Sequence, residues 1–323
     1  MADYKGIQGY SVQTLSSDPS PAANVEGQLW YNSTSGTYKI AAAGAGAWAA
    51  GGDLNQARRG VGGAGTQTSG LCFGGMGPPG NFALTESYDG SSWTELGNLS
   101  SARGGTPGGA GTSNTSGMCY GGNPSIALCE QFNGTSWTEV ADLGSARYMM
   151  GSCGTITAAL AVGGYSPRVA IVEQWNGSAW SEVGNINTAR RDAMSSGTTT
   201  AAIAAGGGAP AGAQTVAETW NGSSWTEVAN LNTARDQQAS ASQGTQTAAL
   251  IFGGNAYTAD TELWNGTSWT EVANLATATN QVGGAGTAVA GLCLGGRQSG
   301  GTHVVTTEEW NGAPVSVKTV TAS

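Results

Sequence analysis

The nonapeptide Trp264-Asn265-Gly266-Thr267-Ser268-Trp269-Thr270-Glu271-Val272 holds the end of one short strand, a reversal and the start of the next. Asn-Gly between strand-forming residues is the strongest short-range hairpin signal, because both positions tolerate the positive φ that a tight reversal needs. Its closing tryptophan has counterparts at Trp48, Trp93, Trp137, Trp180 and Trp225, with successive spacings from Trp48 to Trp269 of 45, 44, 43, 45 and 44 residues. A period of this length built from short strands implies a β-propeller with one four-stranded sheet per repeat.

Moving outward, residues 235–274 read as one unit. Arg235 opens it, and a first strand is expected over 238–242, with a turn at Gly244-Thr245-Gln246-Thr247. The next run, Ala248-Ala249-Leu250-Ile251-Phe252, is apolar on both faces, as a strand sandwiched between sheets must be, and it stops at Gly253-Gly254. A variable loop leads to Thr261-Glu262-Leu263-Trp264. Gly-Gly pairs recur at 74, 121, 163, 206, 253 and 295, and third-strand aromatics at Tyr88, Phe132, Trp175, Trp220, Trp264 and Trp310. The frame is offset. Trp48 has no Gly-Gly strand before it, and the unit ending at Trp310 has no closing tryptophan. The strand around Trp48 is therefore expected to complete the last sheet, which removes two open edges and makes six blades. This divides the chain into residues 1–44 and an all-β, six-bladed propeller over residues 45–323.

The series Arg, apolar strand with Gly-Gly, Glu-x-aromatic and Trp resembles the kelch repeat over residues 45–323. The resemblance implies kelch-like blades. Here only five positions separate Tyr88 from Trp93, a shorter hairpin than kelch repeats have, so compact blades are expected and no kelch partner is carried over. Asp89-Gly90-Ser91-Ser92-Trp93 is also similar to the sialidase Asp-box, but Gly directly after Asp makes it a turn.

Residues 1–44 lack the repeat. They contain Ser16-Ser17-Asp18-Pro19-Ser20-Pro21 and then the segment from Gly27 through Leu29-Trp30-Tyr31-Asn32 to Lys39. This segment resembles an amino-terminal module of tail-fibre and other virion proteins of bacteriophages. The resemblance implies an extended arm that docks on a particle, with Leu29, Trp30 and Tyr31 as its contacts; the alternative is an arm that covers the propeller.

Composition narrows the functional classes. A net charge of −9 among 323 residues, without a basic run or a long apolar stretch, argues against nucleic acid and membrane insertion. The start lacks a signal-peptide core, so synthesis in the cytoplasm of a host is expected. Cys72, Cys119 and Cys293 share a register with Ala and Ile, which makes them buried free thiols; one histidine and no CxxC leave no metal or cofactor site expected. Arg58, Arg103, Arg147, Arg190 and Arg235 open repeats, and Glu86, Glu130, Glu173, Glu218 and Glu262 begin third strands. Ion pairing explains both series without a ligand, and Thr-Glu at 94–95, 138–139, 226–227 and 270–271 reads as a solvated face.

Only the loops after second strands vary in length, at 76–85, 123–129, 165–172, 208–217, 255–261 and 297–307. They share one face, whose candidate contacts are Phe82, Tyr165, Arg168, Tyr257, Arg297 and His303. The expectation is a non-enzymatic virion structural protein: a tail-fibre adhesin, or a decoration of head or tail. It would touch other virion proteins through the arm and a host receptor or glycan through this face, as one copy or several. The alternatives are a cellular kelch-like interaction scaffold and a glycan-cleaving propeller.

Overall fold

A computed structural model describes residues 12–18, 28–43, 46–312 and 315–320. No helix occurs among them. They fall into two compact units, Ala47–Gly312 and a smaller one within Met1–Gly46 and Ala313–Ser323.

The larger unit contains six four-stranded antiparallel sheets among the described residues. The fifth serves as specimen, with strands Ala239–Ser240, Ala249–Phe252, Thr261–Trp264 and Trp269–Val272. Its first strand is shorter than the expected 238–242. Beyond Ser240 the backbone turns to flanking sheets, with Ser196 Oγ donating to Ala241 O at 2.9 Å and Gln243 N to Gly286 O at 2.8 Å. The apolar second strand is buried throughout, and the fourth exposes its Thr-Glu pair. The sixth sheet joins Gly283–Thr287, Ala290–Leu294 and Thr307–Asn311 to Ala47–Ala50, with Trp48 opposite Trp310.

Neighbouring sheets are tied in a repeating way. The second glycine of each pair donates its N–H to the carbonyl that opens the following sheet: Gly75 to Arg103, Gly122 to Arg147, Gly164 to Arg190, Gly207 to Arg235 and Gly254 to Thr279. Gly296 then donates to Arg58, so the series returns to its first member. This junction explains the invariable Gly-Gly. A Cβ on Gly74 would stand 2.6 Å from Arg103 O, and φ of +64° and +105° at Gly74 and Gly75 lie where L side chains are strained. First strands approach as closely. A Cβ on Gly109 would meet Gly63 O at 2.3 Å, and one on Gly284 would meet Ser240 O at 2.2 Å. Serine replaces glycine in this register at Ser152, Ser195 and Ser240, and two of the three hydroxyls bond a neighbour: Ser240 Oγ donates to Ser195 O at 2.9 Å and Ser152 Oγ accepts from Gly109 N at 3.1 Å.

The tryptophans are framework residues. Third-strand Trp175, Trp220, Trp264 and Trp310 are almost fully buried. The fourth-strand indoles reach back to the preceding sheet: Trp137 donates to Thr85 Oγ1 at 2.8 Å, Trp93 to Thr307 Oγ1 at 3.0 Å and Trp48 to Thr261 Oγ1 at 3.0 Å. All five cysteines are buried and free. Burial pushes the Cys72 thiol up to about 11 and those of Cys119, Cys129 and Cys153 to about 12, so they are inert apolar fillers.

The smaller unit corrects one expectation. Its described residues are not an extended arm but a sheet ordered Gln13–Leu15, Leu29–Asn32, Thr37–Ala43 and Val315–Thr319. The first pair is parallel and the others antiparallel. Val315–Thr319, expected within the repeats, thus belongs with the N-terminal segment. Trp30 is fully buried, and its indole donates to Asp18 Oδ1 at 3.1 Å. Asn32 Nδ2 donates to the same oxygen at 2.7 Å, while Asn32 Oδ1 accepts from the N–H groups of Thr34 and Ser35 and closes the turn. The hydrogen bond from Asn32 holds the Asp18 carboxyl below the usual range. Of the expected arm, residues 1–11, 19–27 and 44 lie outside the described residues.

Candidate functional site

The repeated charges are used internally. Arg58 Nη2 meets Glu86 Oε1 at 2.7 Å, and Arg190–Glu218 and Arg235–Glu262 close to 2.6 Å; Arg103–Glu130 and Arg147–Glu173 pair in the same way. Each guanidinium also donates to main-chain carbonyls, as Arg58 does to Gly74 O and Leu84 O. Each glutamate takes a loop N–H as well, for example Asn232 N to Glu262 at 2.8 Å. All ten side chains are buried. In the sixth sheet, where Thr279 replaces arginine, Glu308 instead accepts the N–H groups of Ala276 and Thr277, at 2.7 and 3.1 Å. These series form a structural lattice, which leaves function to groups outside it.

Such groups collect where first strands begin. The residue two positions after the opening arginine, or after Thr279 in its place, often adopts a left-handed backbone, with φ of +54° at Met149, +50° at Asp192, +57° at Gln237 and +52° at Gln281. The strain is held by bonds between sheets, including Asp192 N to Met149 O, Gln281 N to Gln237 O and Gly60 N to Gln281 O. Below this rim a cavity of about 50 Å³ is lined by residues in or just before the first strands of all six sheets, among them Val61, Pro107, Met150, Asp192, Gln238 and Val282. Asp192 Oδ2, Gln238 Oε1, Ser195 Oγ and Ser242 Oγ are buried there without hydrogen-bond partners among the described residues, an environment that suits water. Burial pushes the Asp192 carboxyl up to about 7, against the pull of Arg191.

The structure places the six predicted loop residues in different settings. Arg297 and His303 pair across their own short hairpin, and Arg297 also pairs with Asn280. Arg59, which the repeat reading passed over, joins them by donating from Nε to His303 Nε2 at 3.1 Å and from Nη1 to Gln281 Oε1. Tyr257 is half-buried, and its field acts on Arg59. Tyr165 and Arg168 form a second group. The Arg168 guanidinium lies 5.6 Å from the Tyr165 ring centroid, and Tyr148, also passed over, meets Tyr165 edge-on at 5.5 Å. Phe82 joins neither group. Its ring packs on Gly77, where a Cβ would stand 2.7 Å away. The signal for Arg59 was an arginine doublet, Arg58-Arg59, in which the second member departs from the repeat; Arg190-Arg191 is the other such doublet.

In the terminal sheet, Leu29 and Tyr31 are half-buried, and Tyr31 meets Tyr38 at a centroid distance of 5.2 Å. Tyr38 is the more exposed ring, whereas Trp30 faces its own unit. Among the described residues no three His, Cys, Asp or Glu side chains converge to hold a metal ion. Neither a protein-family model nor a curated protein sequence matches the chain.

Proposed function

We propose that the larger unit is a six-bladed β-propeller of kelch-like blades in a non-enzymatic structural protein of a bacteriophage virion. The blade reading is supported by the cycle of Gly-Gly to arginine-carbonyl bonds, which passes through six sheets and returns from Gly296 to Arg58. The lining of one cavity by residues in or just before the first strands of all six sheets agrees with a common axis.

The observation that carries the non-enzymatic reading is the fate of the charged groups. Five Arg–Glu pairs are buried and joined within the sheets. The Thr-Glu acids stand on exposed strands. Irregular polar and aromatic groups then remain on the loop face, an arrangement suited to recognition of a host or surface partner. The virion assignment follows the resemblance of residues 27–39 to tail-fibre modules. In it the terminal sheet is the docking module, and Tyr38 and Tyr31 replace Trp30 as the contacting rings. Mass spectrometry of gradient-purified particles from the source lysate tests it. The chain should appear at a fixed ratio to the major capsid protein, and its loss from washed particles overturns the assignment.

A further inference from the structure

On the loop face Arg191 has acidic partners, with Nη2 3.2 Å from Asp236 Oδ2 and Nη1 3.5 Å from Asp192 Oδ2, and Arg168 lies over the Tyr165 ring and donates to Gly208 O at 3.1 Å. Arg59 and Arg297 have no acidic partner among the described residues. They lie close enough to feel one another's charge: both lower the His303 pKa, behind burial as the first cause, and Arg297 lowers that of Arg59, again behind burial. In a chain of net charge −9, two cations that lack a carboxylate partner and act on one imidazole are a local exception to the prevailing charge.

The hydrogen bonds fix the proton on the imidazole. Arg59 Nε can only donate, so His303 Nε2 accepts and Nδ1 carries the hydrogen. That Nδ1–H is buried without an acceptor among the described residues; the Nε–H of Arg297 is too, as are those of Arg58, Arg190, Arg191 and Arg235, but Arg297, unlike those four, has no carboxylate partner either. A buried donor without a partner carries a desolvation cost that an incoming acceptor removes. Beside these donors lies an open depression lined by Gln56, Ala57, Pro78, Gly301, Thr302 and His303. Amide, hydroxyl and small apolar groups of this kind match the hydroxyls and C–H faces of a sugar.

We infer that Arg59, Arg297 and His303 form a binding site for the oxyanion, carboxylate or phosphate, of an acidic sugar. The anion accepts from Arg297 and from His303 Nδ1, with Arg59 holding the imidazole tautomer and adding charge. The sugar ring occupies the depression. This rests on reading the loop face as a recognition surface, and it does not depend on the virion assignment.

His303 is the chain's one histidine, so its imidazole signals in an NMR spectrum of the purified full-length protein need no assignment. The probes are glucuronate, glucose 6-phosphate, glucose and inorganic phosphate. The expected result is a saturable shift of the His303 signals, and a rise in its pKa, with at least one acidic sugar and not with glucose. The acid that responds identifies the anion. Arg297→Gln removes a guanidinium whose buried Nε–H is unpartnered among the described residues. The fold should therefore persist, as an unchanged melting temperature will show, while affinity falls about tenfold or more. The inference is overturned by the absence of a saturable shift with either acid, by an equal shift with glucose, or by an unchanged affinity in Arg297→Gln. Equal affinity for inorganic phosphate removes the sugar from it. No particle enters the assay, so this outcome and the particle composition are read separately.

Discussion

Trp269 shows how one side chain in the neighbouring sheet sets the worth of a repeated indole. The fourth-strand tryptophans of the first, second and sixth sheets find a threonine hydroxyl at the start of the preceding third strand, at Thr307, Thr85 and Thr261. Before Trp269 the same register holds Ala217, and the Trp269 indole N–H is buried without a partner among the described residues. Ala217→Thr should therefore stabilise the protein by about 1 kcal/mol, the net value of a hydrogen bond. Ala217→Val adds similar bulk without the hydroxyl, so equal urea midpoints for the two variants would remove the bond from the explanation. The buried arginines carry larger stakes. Arg235→Ala leaves the Glu262 carboxylate at zero exposure without its cation, and should destabilise by roughly 3–5 kcal/mol. Adding Glu262→Gln to that variant should recover part of the loss in the same urea experiment, because the unpaired charge is then gone; no recovery would assign the loss to packing.

First strands and the turns that precede them combine close approach with a titrating group. Asp192 stands just before the fourth sheet's first strand with φ of +50° and lines the 50 Å³ cavity. Burial raises its carboxyl from 3.8 to about 7, Arg191 and Arg168 pull it down, and Asp236 pushes it up. Between those two values the folded chain keeps a proton that the unfolded chain releases, so this group makes stability fall as pH rises from 3.8 to about 7 and adds no further slope above. Asp192→Asn keeps a residue that tolerates left-handed backbone and removes the charge. The variant should be more stable than the parent at pH 8 by on the order of 1–3 kcal/mol, because each tenfold change in proton affinity on folding is worth about 1.4 kcal/mol, and indistinguishable near pH 4. Denaturant midpoints of both proteins across this range check it, and a constant difference would mean that the Asp192 carboxyl titrates alike in the folded and unfolded chains. None of this was legible in the repeat, which marks strands, glycine junctions and Arg–Glu pairs because each recurs in the same register. Among the rim residues, Tyr148 and Asp192 occur once each in their registers and Arg59 recurs only as Arg191, so their neighbours emerge only when the sheets are brought together. The terminal sheet was hidden for a related reason: the pairing of Val315–Thr319 with Thr37–Ala43 spans nearly the whole chain and has no counterpart elsewhere.

The sixth sheet depends on a strand that lies far in sequence from its partners. Ala47–Ala50 is the outer strand of the sixth sheet, and Trp48 is its anchor. Its ring lies 4.9 Å from Phe252 in the fifth sheet and 5.5 Å from Trp310 in the sixth, and its N–H reaches Thr261. Trp48 thus joins its own sheet to the face of the sheet before it, as the other repeated tryptophans do. Two truncations separate this role from that of the preceding segment. A chain of residues 47–312 keeps every described strand of the six sheets and should unfold cooperatively, with its tryptophan fluorescence and far-ultraviolet signals coincident. A chain of residues 51–312 lacks the strand, exposes the edge of Thr307–Asn311 and uncovers Phe252. Losing one large buried aromatic costs roughly 3–5 kcal/mol, and the missing strand bonds add to it. The shorter chain should consequently melt well below the longer one and associate through its open edge on size-exclusion chromatography. Equal melting temperatures and monomeric elution for both would mean that Ala47–Ala50 is a passenger, and that the sheets hold together without it.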